Sequence, residues 1–118
     1  VSAGIEPLFA LNYVRLYKGR KLLVANKRFE QLAGNKANNK YIRDLFAVSH
    51  EISPEYHIKV QAAFQRHVDS AVSKTVIMPK NAVVRDVEKA FLLAYSLGCK
   101  GITVYRQGSR NKEVLTGS

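Results

Sequence analysis

The sequence has 118 residues, of which 47% are hydrophobic and 24% are charged. This composition is typical of one small packed domain spanning residues 1–118, and it excludes an intrinsically disordered chain. The single cysteine excludes an internal disulfide, and no apolar run is long enough to cross a bilayer. The N-terminus has no basic segment ahead of an apolar one, as a signal peptide would, so we expect a cytoplasmic protein with no membrane contact.

The formal net charge is +10, which favours polyanionic partners such as nucleic acid or phosphate-bearing molecules. The basic residues are scattered, however, with the densest group between Arg15 and Arg28. The sequence contains no long run of like charges and no aromatic-rich RNA-binding motif. A basic solvated face, or a basic surface that meets an acidic one, therefore remains an alternative to nucleic-acid binding.

The first part of the chain predicts a β-hairpin followed by short helices. Residues 8–26 contain two apolar runs separated by a basic turn, the pattern of a hairpin. Residues 27–34 predict a short helix that ends at its terminal glycine. A polar loop at 35–40 and another short helix at 41–51 follow.

A longer helix is predicted from Pro54 to about Ala71, with Ser53 as its N-terminal cap. Its apolar arc contains three polar residues at positions i, i+4 and i+8: His57, Gln61 and Gln65. Polar side chains on a buried face need hydrogen-bond partners. Either they meet polar groups of a larger assembly, or this edge of the arc is solvated.

The last part of the chain predicts strand, helix and strand. Residues 73–79 form the first strand, and Asn81 caps a helix at 82–97 that Gly98 ends. Residues 101–106 form the second strand. The apolar side of this helix consists of Val83, Val84, Val87, Ala90, Phe91, Ala94, Tyr95 and Leu97.

This alternation of helices and strands predicts right-handed parallel β/α units. Parallel strands need neighbours at their sides and layers on both faces. The chain should therefore be a piece of a larger β/α structure. Alone, it should associate with itself or expose an apolar face.

No catalytic arrangement is visible in the sequence. Cys99 lies between a helix-ending glycine and an apolar strand, where a thiol usually fills space in a core. His50, His57 and His67 lack the spacing of helical metal ligands, so we expect no metal site. Residues 108–110 are better explained as a turn than as a phosphate loop, because they open no helix.

Three long stretches resemble the C-terminal part of the catalytic barrel of adenosylcobalamin-dependent (class II) ribonucleotide reductases. They read SAGIEPLFALNYVR (2–15), SPEYHIKVQAAFQRHVDSAVSKTVIMP (53–79) and AFLLAYSLGCKGITVYRQGSR followed by EVL (90–115). The resemblance thus covers almost the whole chain. The sequence departs from the family pattern at Ala3, Ser70, Ile77 and Gln107. Of these departures, Ile77 is the one expected to matter, because it removes a polar side chain from the barrel interior.

The resemblance implies an α/β fold, a fragment of a ten-stranded β/α barrel made of a β-hairpin followed by helix–strand–helix–strand units. It also implies a reductase that makes deoxyribonucleotides with a cysteine radical generated by adenosylcobalamin. In that family the radical cysteine, the reducing cysteine pair and the other catalytic residues lie upstream of the matched region. We therefore expect no catalytic residue in this chain and no activity from it alone. The implied partners are the N-terminal part of the reductase, a ribonucleotide, and an external thiol reductant such as thioredoxin.

Two groups of site residues follow from the same resemblance. The substrate-phosphate loop of the family ends just before Ser2, so we expect Ser2, Ala3 and Gly4 near the phosphates. Thr103 and Tyr105 would share one face of a late barrel strand. A tyrosine pair carries the radical in the related iron-dependent reductases, but here one tyrosine precedes an arginine, so Tyr105 is interpreted as a wall residue. A non-catalytic basic module that binds nucleic acid or another polyanion is the alternative function.

Overall fold

The structure is a computed structural model that describes residues 4–17, 20–34, 40–109 and 115–117. The chain divides into two compact units. Among the described residues, residues 4–7 and 52–109 form one unit, which we call the β/α unit. The remaining described residues form the other, which we call the hairpin unit.

In chain order the elements are β1 (Gly4–Ile5), β2 (Asn12–Tyr17), β3 (Arg20–Ala25), α1 (Lys27–Ala33), α2 (Lys40–Asp44), a 3₁₀ turn (Ser49–Glu51), α3 (Pro54–Gln65), β4 (Ser73–Met78), α4 (Val84–Ser96), β5 (Thr103–Arg106) and β6 (Leu115–Gly117). The predicted hairpin is confirmed, because β2 and β3 pair antiparallel. The sheet gains a third strand that the sequence did not predict, since β6 pairs antiparallel with β2.

The hairpin unit places its short helices against a small core. Asn26 begins α1 by accepting hydrogen bonds from the N–H groups of Arg28 and Phe29, at 3.0 and 3.1 Å. The ring of Phe29 meets that of Phe46 edge-on, with 5.3 Å between their centroids. The buried core residues of this unit are Leu11, Phe29, Ala33 and Val48.

The helix predicted at 41–51 is interrupted, so that prediction was wrong in its middle. In this stretch, side chains form hydrogen bonds with backbone groups that a continuous helix would use. Arg43 donates to the carbonyl of Phe46 at 2.7 Å, and the Glu51 carboxylate accepts from the N–H of Val48 at 2.8 Å. Such bonds compete with helical ones. The hydrogen bond from Val48 and the nearby Arg43 guanidinium, 2.6 Å away, lower the pKa of Glu51 against the opposing effect of burial.

The β/α unit confirms the predicted α/β class. Its three strands lie in the order β1-β4-β5, and both pairs are parallel. The helices α3 and α4 pack on one face of this sheet, around a core of Ile58, Val76, Met78, Ala82, Ala90 and Ala94. The strand β1 was not predicted, because two residues are too few to show a strand pattern.

Both helices of the β/α unit differ from prediction at one end. The helix α3 ends at Gln65 rather than near Ala71. The helix α4 begins after Val83, whose N–H donates to the Asp86 carboxylate at 2.9 Å, and not after Asn81. A turn precedes α4 instead, closed by the bond from the N–H of Ala82 to the carbonyl of Pro79 at 3.0 Å.

The apolar side predicted for α4 is only half buried. Ala90 and Ala94 lie in the core, and Val87 and Leu97 are partly buried. The other four members are exposed in this chain: Val83, Val84, Phe91 and Tyr95.

Candidate functional site

A row of buried polar side chains on α3 joins the helix to the sheet. His57, Gln61 and Gln65 are all buried and follow each other at intervals of one helical turn. Gln61 and Gln65 bond to the backbone of this same chain, and His57 meets one of its lysines. The structure thus answers the question left by the sequence: this edge is not solvated, and these contacts are made inside the chain rather than to a larger assembly.

Gln65 explains why α3 ends where it does. Its amide nitrogen donates to the carbonyls of Val68 and Ser70, at 2.8 and 2.9 Å, and its oxygen accepts from the N–H of Val72 at 3.0 Å. These bonds hold residues 66–72 as a loop folded back against the helix end. One side chain therefore satisfies backbone groups that a longer helix would have satisfied itself.

Gln61 ties the starts of two neighbouring strands together. Its amide nitrogen donates to the carbonyl of Val72 at 3.0 Å, just before β4, and to that of Gly101 at 2.7 Å, just before β5. Both partners are acceptors, so the nitrogen must point toward them. The amide oxygen of Gln61 is buried without a hydrogen-bond partner.

Lys74 has a buried side chain on the helix side of the sheet. Its ammonium lies 2.7 Å from Nδ1 of His57 and donates to the carbonyl of Thr75 at 3.2 Å. Its neighbours at alternate positions of β4, Val76 and Met78, belong to the helix-side core, so Lys74 points to the same side. Burial lowers the pKa of Lys74. Sequence reasoning missed this residue, although strand alternation would have placed it in the core-facing row.

The opposite face of the sheet carries the predicted wall residues. Thr75 pairs with Thr103, and Ile77 pairs with Tyr105. By alternation these four residues lie on the face away from the helices. Ile77 is only 2% exposed. The structure therefore places Ile77, which the sequence analysis expects to depart from the family pattern, directly beside Tyr105.

The N-terminal site residues are placed only in part. Ser2 and Ala3 lie outside the described residues, while Gly4 lies in β1 opposite Ser73. A Cβ atom at position 4 would come within 2.3 Å of the Ser73 carbonyl oxygen. Only glycine permits this close approach of β1 to β4.

The turn after β5 has the geometry predicted for it. The N–H of Ser109 donates to the carbonyl of Arg106 at 3.2 Å, and Gly108 has a φ of 71°. That conformation favours glycine. Arg110, the third residue of the predicted turn, lies outside the described residues.

The prediction of a packing role for Cys99 is confirmed. It is partly buried against the helix-side core, and burial raises the pKa of its thiol. A raised pKa keeps the thiol protonated and poorly nucleophilic.

Within the described residues, no group of three His, Cys, Asp or Glu side chains could hold a metal ion. None of the described helices is both long and apolar enough to span a membrane.

The sequence model of a family described as "Ribonucleotide reductase, barrel domain" matches residues 1–105. The chain belongs to this family. The matched region contains the parallel sheet covered by α3 and α4, except for Arg106, the last residue of β5.

Several curated relatives match nearly the whole chain. It is 40% identical to a vitamin B12-dependent ribonucleoside-diphosphate reductase of Thermoplasma acidophilum and 38% identical to one of Mycobacterium tuberculosis, over 98% and 99% of its length. These matches cover 18% and 20% of the relatives, so the chain spans about a fifth of their length. A ribonucleoside-diphosphate reductase subunit alpha of Mycoplasma pneumoniae is 41% identical over 59% of the chain and 9% of the relative.

Proposed function

We propose that this chain is the C-terminal portion of the catalytic barrel of an adenosylcobalamin-dependent ribonucleotide reductase. The match of about 40% over nearly the whole chain to a reductase named as vitamin B12-dependent carries the proposal. The geometry agrees with it, because a sheet of three parallel strands with helices on one face is an incomplete β/α layer. In the complete enzyme this sheet would form part of a ten-stranded barrel.

The chemistry would then belong to the rest of the polypeptide. Adenosylcobalamin, when bound, supplies the radical that starts nucleotide reduction. Cys99, the single cysteine of the chain, packs against the helix-side core and not on the sheet face that would line the barrel. We therefore assign no radical step to this chain and expect it to be inactive alone, with a dithiol such as thioredoxin reducing the complete enzyme.

The proposed role of this chain is to form part of the substrate-binding wall. Thr103 and Tyr105 line the face of the sheet away from the helices, where a barrel encloses its ligand. The chain around Ser2, Ala3 and Gly4 would lie near the substrate phosphates. We propose a ribonucleoside diphosphate as the substrate, following the names of the relatives, and the cytoplasm as the compartment.

A complementation assay tests this function. The 118-residue chain is mixed with the separately produced upstream part of the reductase, and deoxynucleotide formation is measured with adenosylcobalamin and a dithiol. We expect product only when both parts and the cofactor are present. The Cys99→Ser variant should retain activity, because Cys99 is a packing residue; its complete inactivity would give that thiol a catalytic role.

The alternative, a non-catalytic module for nucleic acid, makes a different prediction. In that case the mixture yields no deoxynucleotide, and the chain alone retards single-stranded DNA in a salt-sensitive manner. The net charge of +10 is the observation that favours it. Under the reductase function, binding of a phosphate-bearing substrate would explain part of the same positive charge.

A further inference from the structure

One side of α4 exposes large apolar side chains. Val84, Phe91 and Tyr95 are 86%, 49% and 85% exposed. At 3.6 residues per turn, their spacing places them within about 40° of one another around the helix axis. We call these three residues the α4 stripe. Glu88 lies at its border and is also exposed.

The α4 stripe lies on the flank of α4 that faces away from α3. The flank toward α3 contains Asp86, Lys89 and Leu93, which line a cleft of about 500 Å³ together with residues of α3. Helical geometry puts these residues roughly opposite the stripe. Ala90 and Ala94 lie between the two flanks and contact the core.

The same flank lies on the side of the open sheet edge. The strand order is β1-β4-β5, and α4 connects β4 to β5. Among the described residues, β5 has a strand partner on one side only. Because α3 and α4 share one face of the sheet, the flank of α4 away from α3 lies toward the open edge of β5. In the described residues, an exposed helix flank and the edge strand of the sheet thus occur together.

We propose that the α4 stripe is the docking surface for a helix from the rest of the reductase polypeptide. That helix would lie beside α4, above a strand that extends the sheet past β5. The inference rests on the proposed function. The relatives are about five times as long as this chain, so in such an enzyme most of the polypeptide is available to supply the helix.

The stripe also indicates the chemistry of its partner. Three large apolar side chains in a row require an apolar stripe on the facing helix. The carboxylate of Glu88 at the border favours a lysine or arginine beside that stripe. A second copy of this chain is the competing occupant.

Cysteine labelling tests the proposal in the complete reductase polypeptide. Tyr95→Cys reports on the stripe, and Ser96→Cys is the matched control, since Ser96 is exposed on the same helix but points about 100° away. Maleimide labelling at each site is followed by peptide mass spectrometry, so that other cysteines do not interfere. In the dilute 118-residue chain, both sites should react at rates within about twofold of each other.

In the complete polypeptide, Tyr95→Cys should react at least about tenfold more slowly, while Ser96→Cys keeps its rate. Val84→Cys, at the other end of the stripe, is a second reporter in case Tyr95→Cys disturbs folding. It should be protected in the same way. Equal labelling of stripe and control sites in the complete polypeptide would overturn the proposal. Concentration-dependent protection in the 118-residue chain would overturn it too, in favour of a second copy.

The test remains separate from that of the proposed function. Deoxynucleotide formation is measured on the unsubstituted complete polypeptide. Absence of product would count against the reductase function, whereas labelling reports only whether the stripe is covered.

Discussion

The two helices of the β/α unit contradict the simple expectation about which face of a helix is buried. The helix α3 buries three polar side chains, among them Gln61 with no exposed surface. The helix α4 exposes four large apolar ones, including Tyr95 at 85%. Hydrophobic pattern therefore misjudges both helices, in opposite directions.

The difference lies in what each helix has to contact. The face of α3 meets the starts of β4 and β5, where backbone carbonyls have no strand partners, and glutamine side chains satisfy them. The exposed flank of α4 lies toward β5, the edge strand of the parallel sheet in the described residues. Polar residues are buried where backbone groups need partners, and apolar residues are exposed on the flank that we propose a further helix covers.

Gln61→Leu, which removes a buried polar side chain of α3, should have the largest effect on stability. The substitution removes both hydrogen bonds to the part-buried carbonyls of Val72 and Gly101, although it also removes an unpartnered amide oxygen. We expect the free energy of unfolding to fall by about 1–3 kcal/mol, measured by urea denaturation. Gln31→Leu, on the exposed surface of α1, is the matched control and should change it by less than about 0.5 kcal/mol. Equal effects of the two substitutions would show that the Gln61 bonds contribute nothing.

Lys74→Met should have a smaller effect, visible in the pH dependence of stability. Burial lowers the pKa of Lys74, so at alkaline pH the unfolded chain binds more protons at this residue than the folded one. The wild type should therefore gain stability relative to the variant as the pH rises from 7 toward the pKa of the unfolded state. Unfolding free energies at several pH values measure this gain. Lys59→Met, which removes an exposed lysine from α3, corrects for the loss of charge. A constant difference between wild type and Lys74→Met would contradict the expectation.

Tyr95→Ser should have the smallest effect in the isolated chain. The side chain is 85% exposed, so little buried surface is lost and the free energy of unfolding should change by less than about 0.5 kcal/mol. Thermal or urea unfolding of the 118-residue chain measures it. A loss above about 2 kcal/mol, comparable to that of a core truncation, would mean that Tyr95 already packs within this chain.

Local sequence signals located most elements but not their ends. The hairpin, α1 and the parallel β/α order were predicted, because turn residues, caps and apolar periodicity are local properties. The end of α3 was missed because Gln65 bonds to a loop that folds back on the helix. The start of α4 was missed because Asp86 caps Val83, a residue type that carries no capping signal.

The features of the candidate site also fall into those that the sequence predicted and those that it did not. Residue identity alone indicated that Cys99 packs and that no metal site was expected, and the match to the reductase barrel family was readable from long stretches of sequence. The contact of Gln61 with Gly101 and the placement of Ile77 beside Tyr105 join residues that are 40 and 28 positions apart in the chain. Only tertiary structure decides such contacts, because a side chain's burial depends on which distant segment packs against it rather than on its own chemistry.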